Sequence, residues 1–184
     1  MSLFQEPQRV AAARALATVV HAGQVRDHGT PALSHPAAVV RLLHAWGYDD
    51  PTLLAAGWLH DTVEDGSDPL AIQTAITIAC GRDVKDLVGQ LTKPWVATHR
   101  APWPDEVDAY WAALRADPVA SVLKWADRTA NLADLPHAAP DKQRRYCTDT
   151  AAHFLDVSWD VPLPVRHTLQ VAWEGVVAAL PPPP

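Results

Sequence analysis

Three Asp-Pro pairs, Asp50-Pro51, Asp68-Pro69 and Asp117-Pro118, constrain the fold of this chain more than any other feature. In each, a carboxylate suited to accept hydrogen bonds from the free N–H groups of a helix start precedes a proline. The fixed φ and missing N–H of proline suit the first helical turn. Each pair therefore predicts a helix start. Apolar residues at helical spacing extend the reading to helices over 6–22, 34–46, 50–65, 68–79, 82–92, 104–116, 118–134, 141–157 and 163–180. No segment alternates as a strand, so the predicted fold class is all-α. The stretches Gly23 to Leu33 and Thr92 to Pro104, rich in Gly and Pro, read as loops at a site. Pro181 to Pro184 predict an extended, disordered tail after a single domain over 1–180.

With 184 residues, 48% of them hydrophobic and 20% charged, the chain suffices for one domain with a full core. It has no apolar run long enough to cross a membrane, and its first residues lack the pattern of a signal peptide. A cytoplasmic protein without membrane contact is expected. A net charge of −6 without a Lys/Arg run argues against nucleic acid as a partner. An anionic small molecule remains open, given a locally basic pocket. Cys80 and Cys147 lack metal-site or redox spacing and read as buried, reduced thiols. Nothing in the sequence specifies an oligomeric state.

Several polar residues fall on apolar helix faces. His35 is in phase with Val39, Leu42, Leu43 and Trp46. His60 follows Leu53, Ala56 and the small Gly57, which lets another helix approach, while Asp61 follows Leu54 and Trp58. Asp127 is in phase with Ala120, Leu123, Ala130 and Asn131. Burying four such groups separately would cost several kcal/mol each. A shared divalent cation resolves all four, and two imidazoles with two carboxylates suit Mn²⁺, Fe²⁺ or Zn²⁺. The alternative is an ion-pair network that includes Arg128. Glu64 and Asp65 stand four residues beyond His60 and Asp61, on the same side of the helix one turn onward. There they would orient a metal-bound water or take its proton. The dipeptide His60-Asp61 alone is close to a chance event in a chain with nine histidines and 21 acids.

The ordered blocks make a stronger case. His21-Ala22-Gly23-Gln24-Val25-Arg26, Gly29-Thr30-Pro31, Ser34-His35-Pro36, Leu59-His60-Asp61-Thr62-Val63-Glu64-Asp65, Lys124-Trp125-Ala126-Asp127-Arg128 and Asn131-Leu132 resemble the HD-domain metal-dependent phosphohydrolases. The likeness is specifically to the hydrolase domain of RelA/SpoT proteins and the stand-alone small alarmone hydrolases. The resemblance implies a single HD-domain bundle of about eight or nine helices over 1–180. It also implies one Mn²⁺ on His35, His60, Asp61 and Asp127. The implied reaction removes the 3′-pyrophosphate of guanosine tetra- or pentaphosphate, leaving GDP or GTP, with Glu64 and Asp65 positioning and activating the attacking water. Arg26 and Asn131 would contact the anionic nucleotide.

Three positions depart from that pattern. Asp27 replaces a basic residue, Ala32 a tyrosine and Ala133 an arginine. Each change removes an anion-binding or stacking contact. Lys93, Arg100, Lys124 and Arg128 are candidates to restore the charge, or else ordinary surface and ion-pairing residues. Trp95 or Trp103 on the Pro-rich loop is a candidate to stack on a base. Two rivals follow: an HD-domain phosphohydrolase of another nucleotide (NADPH, a nucleoside mono- or triphosphate), and a non-catalytic regulatory HD domain.

Overall fold

The three Asp-Pro pairs start helices as their chemistry requires. In this computed structural model, which describes residues 6–180, Asp50 accepts a hydrogen bond from Leu53 N at 2.9 Å and Asp68 one from Ala71 N at 3.0 Å. Asp117 accepts from Val119 N at 2.8 Å and Ala120 N at 3.1 Å. Among the described residues eleven α-helical segments and no strand are found. The expected tail 181–184 lies outside the described residues.

The helices are α1 (Glu6–Val20), α2 (Ser34–Ala45), α3 (Pro51–Leu59), α4 (Thr62–Asp65), α5 (Pro69–Cys80) and α6 (Arg82–Leu91). They continue with α7 (Pro94–Ala97), α8 (Pro104–Ala116), α9 (Pro118–Asp134), α10 (Pro140–Thr150) and α11 (Leu163–Ala179). The bundle is organised around α9, most of whose residues are buried from Ala120 to Leu132, the polar Lys124, Asp127, Arg128 and Thr129 among them. It packs against α2, α11, α8 and α6, while α3 packs against α1, α2 and α6. A core of rings closes one end, where Phe154 and Trp159 stack with centroids 5.4 Å apart and Trp125 meets both edge-on. Cys80 and Cys147 are free and buried, as expected from their isolation.

The structure corrects the helix boundaries in three places. The expected helix 50–65 breaks at His60-Asp61 into α3 and α4. Thr62 Oγ1 donates to Leu59 O at 2.6 Å and His60 Nδ1 to Gly57 O at 3.0 Å, so side chains take the carbonyls a continuous helix would use. The expected loop 92–104 contains α7, started by Pro94. The expected helix 141–157 ends α10 at Thr150 and finishes as one wide π turn, Ala151–Leu155. The expected loop 23–33 is confirmed as a tight excursion. Arg26 N donates to Thr30 O at 2.8 Å and Ala32 N to Gln24 O at 2.9 Å, around Gly29, whose φ of +81° favours glycine.

Candidate metal centre

His35 opens α2, His60 and Asp61 form the break between α3 and α4, and Asp127 lies in mid-α9. The break is what assembles them. On a continuous helix adjacent side chains diverge by about 100°, yet His60 Nε2 lies 3.2 Å from Asp61 Oδ1. His35 Nε2 lies 3.1 Å from His60 Nε2, 3.2 Å from Asp127 Oδ1 and 3.4 Å from Asp61 Oδ2. One donor atom from each of the four residues falls within 4.8 Å of the others.

This donor set fits a divalent cation. The Gly57 carbonyl can only accept, so His60 Nδ1 carries a proton and Nε2 points into the cluster, where a bound cation would take the place of its proton. His35, His60 and Asp127 are 2%, 2% and 6% exposed, and the buried Asp127 carboxylate, with the partly exposed Asp61 beside it, requires positive charge next to it. Burial alone would lower the His60 pKa, but Asp61 and Asp127 outweigh it and push it up to about 10. Despite burial, neighbouring positive groups hold both carboxyls below the usual range, His60 foremost for Asp61 and Lys124 for Asp127.

The cluster lies at the floor of a cleft of about 660 Å³, lined also by Glu64, Asp65, Arg26, Lys124, Arg128 and Asn131. The four expected metal ligands and these six residues thus meet at one place. Glu64 Oε1 accepts from Lys93 N at 2.5 Å, and Lys93 Nζ stands 3.7 Å from Oε2. Burial first, then the Asp61 charge, raises the Asp65 carboxyl above its ordinary value. Behind it, Gln24 Nε2 donates to the Asp65 carbonyl at 3.1 Å, and Gln24 Oε1 lies 2.8 Å from Nδ1 of the buried His21.

The basic residues are more committed than the sequence suggests. Lys124 Nζ donates to Asp127 Oδ2 at 2.8 Å, and Asn131 Nδ2 to Asp127 Oδ1 at 2.6 Å. Asn131 Oδ1 in turn accepts from Arg26 Nη2 at 2.9 Å, while Arg26 Nε pairs with Asp134 at 2.7 Å. Arg128 lies over the Tyr146 ring at 4.1 Å and donates to Thr150 Oγ1 at 3.3 Å. Lys124, Asn131 and Arg128 therefore brace the floor of the cleft.

The other candidates separate. Ala32 and Lys93 line the cleft, as does His28, whose ring centroid is 4.9 Å from that of His137. Trp95 instead meets the edge of Tyr110 at 5.6 Å. Trp103, 67% exposed, carries the guanidinium of Arg100 at 4.2 Å, and Arg100 is tied to Glu106 at 2.8 Å. Trp95, Trp103, Arg100 and Ala133 are not among the cleft-lining residues. Two that the sequence reading missed are Lys142 and Tyr146 of α10, which do line it, Lys142 paired with Asp27. Their i, i+4 spacing was the available signal.

Over residues 13–155 the chain matches the family described as HD domain. A probable GTP pyrophosphokinase of Mycobacterium leprae is 35% identical over 158 residues, 84% of this chain and 19% of that protein. A probable guanosine-3′,5′-bis(diphosphate) 3′-pyrophosphohydrolase of Synechocystis is 34% identical over 134 residues, 71% of this chain and 17% of that one. The bifunctional (p)ppGpp synthase/hydrolase SpoT of Escherichia coli is 33% identical over 150 residues, 78% and 20% of the two. The chain spans about a fifth of the length of these relatives, whose names include synthesis as well as hydrolysis. A solved structure described as a metazoan ortholog of SpoT that hydrolyzes ppGpp has a TM-score of 0.75 over 95% of this chain and 98% of that one. At 20% identity, it shares the fold.

Proposed function

We propose, from the premise that the chain belongs to the HD-domain family, that it is a divalent-metal phosphohydrolase acting on guanosine tetra- or pentaphosphate. In this reading it releases pyrophosphate from the 3′ position and leaves GDP or GTP. The observation that carries the reading is the convergence of His35, His60, Asp61 and Asp127 at the floor of a cleft, with Glu64 and Asp65 beside them. The names of the Synechocystis and Escherichia coli relatives support the choice of substrate.

His35, His60, Asp61 and Asp127 would hold the ion, assigned as Mn²⁺, with Fe²⁺ and Zn²⁺ also compatible with the donors. When bound, such an ion lowers the pKa of water and offsets charge on phosphoryl oxygens. Lys124 keeps Asp127 anionic and correctly turned. Glu64, anchored by Lys93 N, orients the attacking water. Asp65, whose carboxyl is raised, takes one proton from it as the water oxygen bonds to the phosphorus next to the ribose. The bond between that phosphorus and the 3′ oxygen breaks, the 3′ oxygen takes up the proton, and pyrophosphate leaves. Arg26 and Asn131 contact the phosphate region once Arg26 exchanges Asp134 for the ligand.

The test is incubation of guanosine tetraphosphate with the protein and Mn²⁺, expected to yield GDP and pyrophosphate in equal amounts. NADPH and nucleoside mono- and triphosphates belong in the same panel, and turnover of one of these without the guanosine product rejects the leading substrate. One observation favours that second reading: Arg26, Lys93, Lys124 and Lys142 each already pair with a carboxylate, which suits a less charged nucleotide. Loss of biological function in Asp61→Ala separates both from a purely regulatory domain.

A further inference from the structure

Four ion pairs line the cleft, and they differ in what it costs to open them. The Lys124–Asp127 pair has side chains only 6% and 8% exposed, and separating it strands a buried charge. Arg26 is held at once by Asp134 and Asn131. Lys93 faces Glu64, a carboxylate placed in the reaction itself. The Lys142–Asp27 pair is different. Its side chains are 50% and 57% exposed, and it joins two walls, α10 and the loop between α1 and α2. An exposed pair of this kind contributes little net stability, whereas a phosphate offers a lysine stronger, charge-assisted hydrogen bonds. The exchange is therefore easiest at this pair, easier than at Arg26–Asp134, whose side chains are less exposed.

We propose that Lys142 binds an anionic phosphate of the nucleotide at the mouth of the cleft, and that Asp27 is its built-in competitor, displaced when the ligand enters. Asp27 then does more than repel anions. Like any exposed aspartate it is charged at neutral pH and so competes there, and its hydrogen bond with Lys142, foremost among several causes, moves its carboxyl further below the usual range. A ligand without a phosphate at that position cannot displace it, which makes the pair a filter for ligands charged at both ends. Tyr146, one turn further along α10, continues the same wall towards the floor.

The inference rests on the reading of the cleft as a nucleotide site, and its test avoids turnover. GDP and guanosine lack the 3′-diphosphate and differ from each other only in the 5′ anion. Their binding to the Mn²⁺-supplemented protein is measured by calorimetry for wild type, Asp27→Asn, Lys142→Met and the double variant. Both side chains are half exposed, so the variants fold, and a thermal melt verifies it. Asp27→Asn is expected to tighten GDP about 3- to 10-fold and Lys142→Met to weaken it about 10-fold. The double variant should match Lys142→Met, because Asp27 acts through Lys142. Guanosine affinity should change less than twofold throughout, roughly the noise of a surface change.

GDP affinity indifferent to Lys142→Met overturns the proposal, as does a tightening by Asp27→Asn that persists in full without Lys142. If wild type instead binds another nucleoside phosphate with this same pattern while guanosine tetraphosphate is not cleaved, the alarmone reading fails and the role of Lys142 stands.

Discussion

At the floor of the cleft Lys124 and Asp127 pair with side chains 6% and 8% exposed; at the mouth Lys142 and Asp27 pair with side chains 50% and 57% exposed. The chemistry of the two pairs is the same and their surroundings are not. A buried pair is held because removing either member leaves a desolvated charge, so the floor is preorganised and intolerant of change. An exposed pair is worth little and is open to exchange. The contrast divides labour within one cleft: residues that must not move lie on α9 and at the α3–α4 break, and residues that must yield to a ligand lie on α10 and the loop before α2.

Removing a floor carboxylate should produce the largest effect. Asp127→Ala takes away one of the four converging donors and strands Lys124, so activity should fall by at least about 10³-fold and stability by about 3–5 kcal/mol. Metal analysis and thermal melts check it, and near-normal turnover would remove the floor from the reaction. Asp65→Asn should lower kcat by about 10²- to 10⁴-fold, with metal content and melting temperature unchanged. A matching loss of metal would place Asp65 among the ligands instead.

The helix contact behind the floor gives a smaller effect. A Cβ at Gly57 would stand 3.1 Å from Val40 Cγ2 and 3.2 Å from Leu43 Cδ1, where α3 crosses α2. Gly57→Val should therefore cost about 1–3 kcal/mol and weaken metal binding, by forcing His60 away from His35. Melts and a metal titration measure the two consequences separately. The least effect is expected outside the cleft. Trp103→Ala should change KM by less than about twofold, and a larger change would mean that the Pro-rich loop reaches the ligand after all.

Much of the floor was legible in the sequence. Asp-Pro pairs mark helix starts through purely local chemistry, and helical phase puts His35, His60 and Asp127 on apolar faces because a 3.6-residue period fixes which side chains share a face. The break at His60-Asp61 was not legible as a break. It arises when Thr62 and His60 side chains capture the carbonyls of the last turn of α3, a competition that the apolar pattern does not register. Trp95 and Trp103 misled for a related reason. Large rings in a loop look available, yet Trp95 is used against Tyr110 and Trp103 under Arg100.

The mouth was the illegible part. Asp27 read as a charge hostile to an anionic ligand, and nothing in the sequence tied it to Lys142, 115 residues away. The sequence by itself determined the helices and the set of polar groups that must turn inward, because caps and periodicity act over a few residues. Only the tertiary structure decided which of those charges meet and which stay exchangeable. Both depend on where α9, α10 and the loop cross, and on how much water each crossing leaves around the pair.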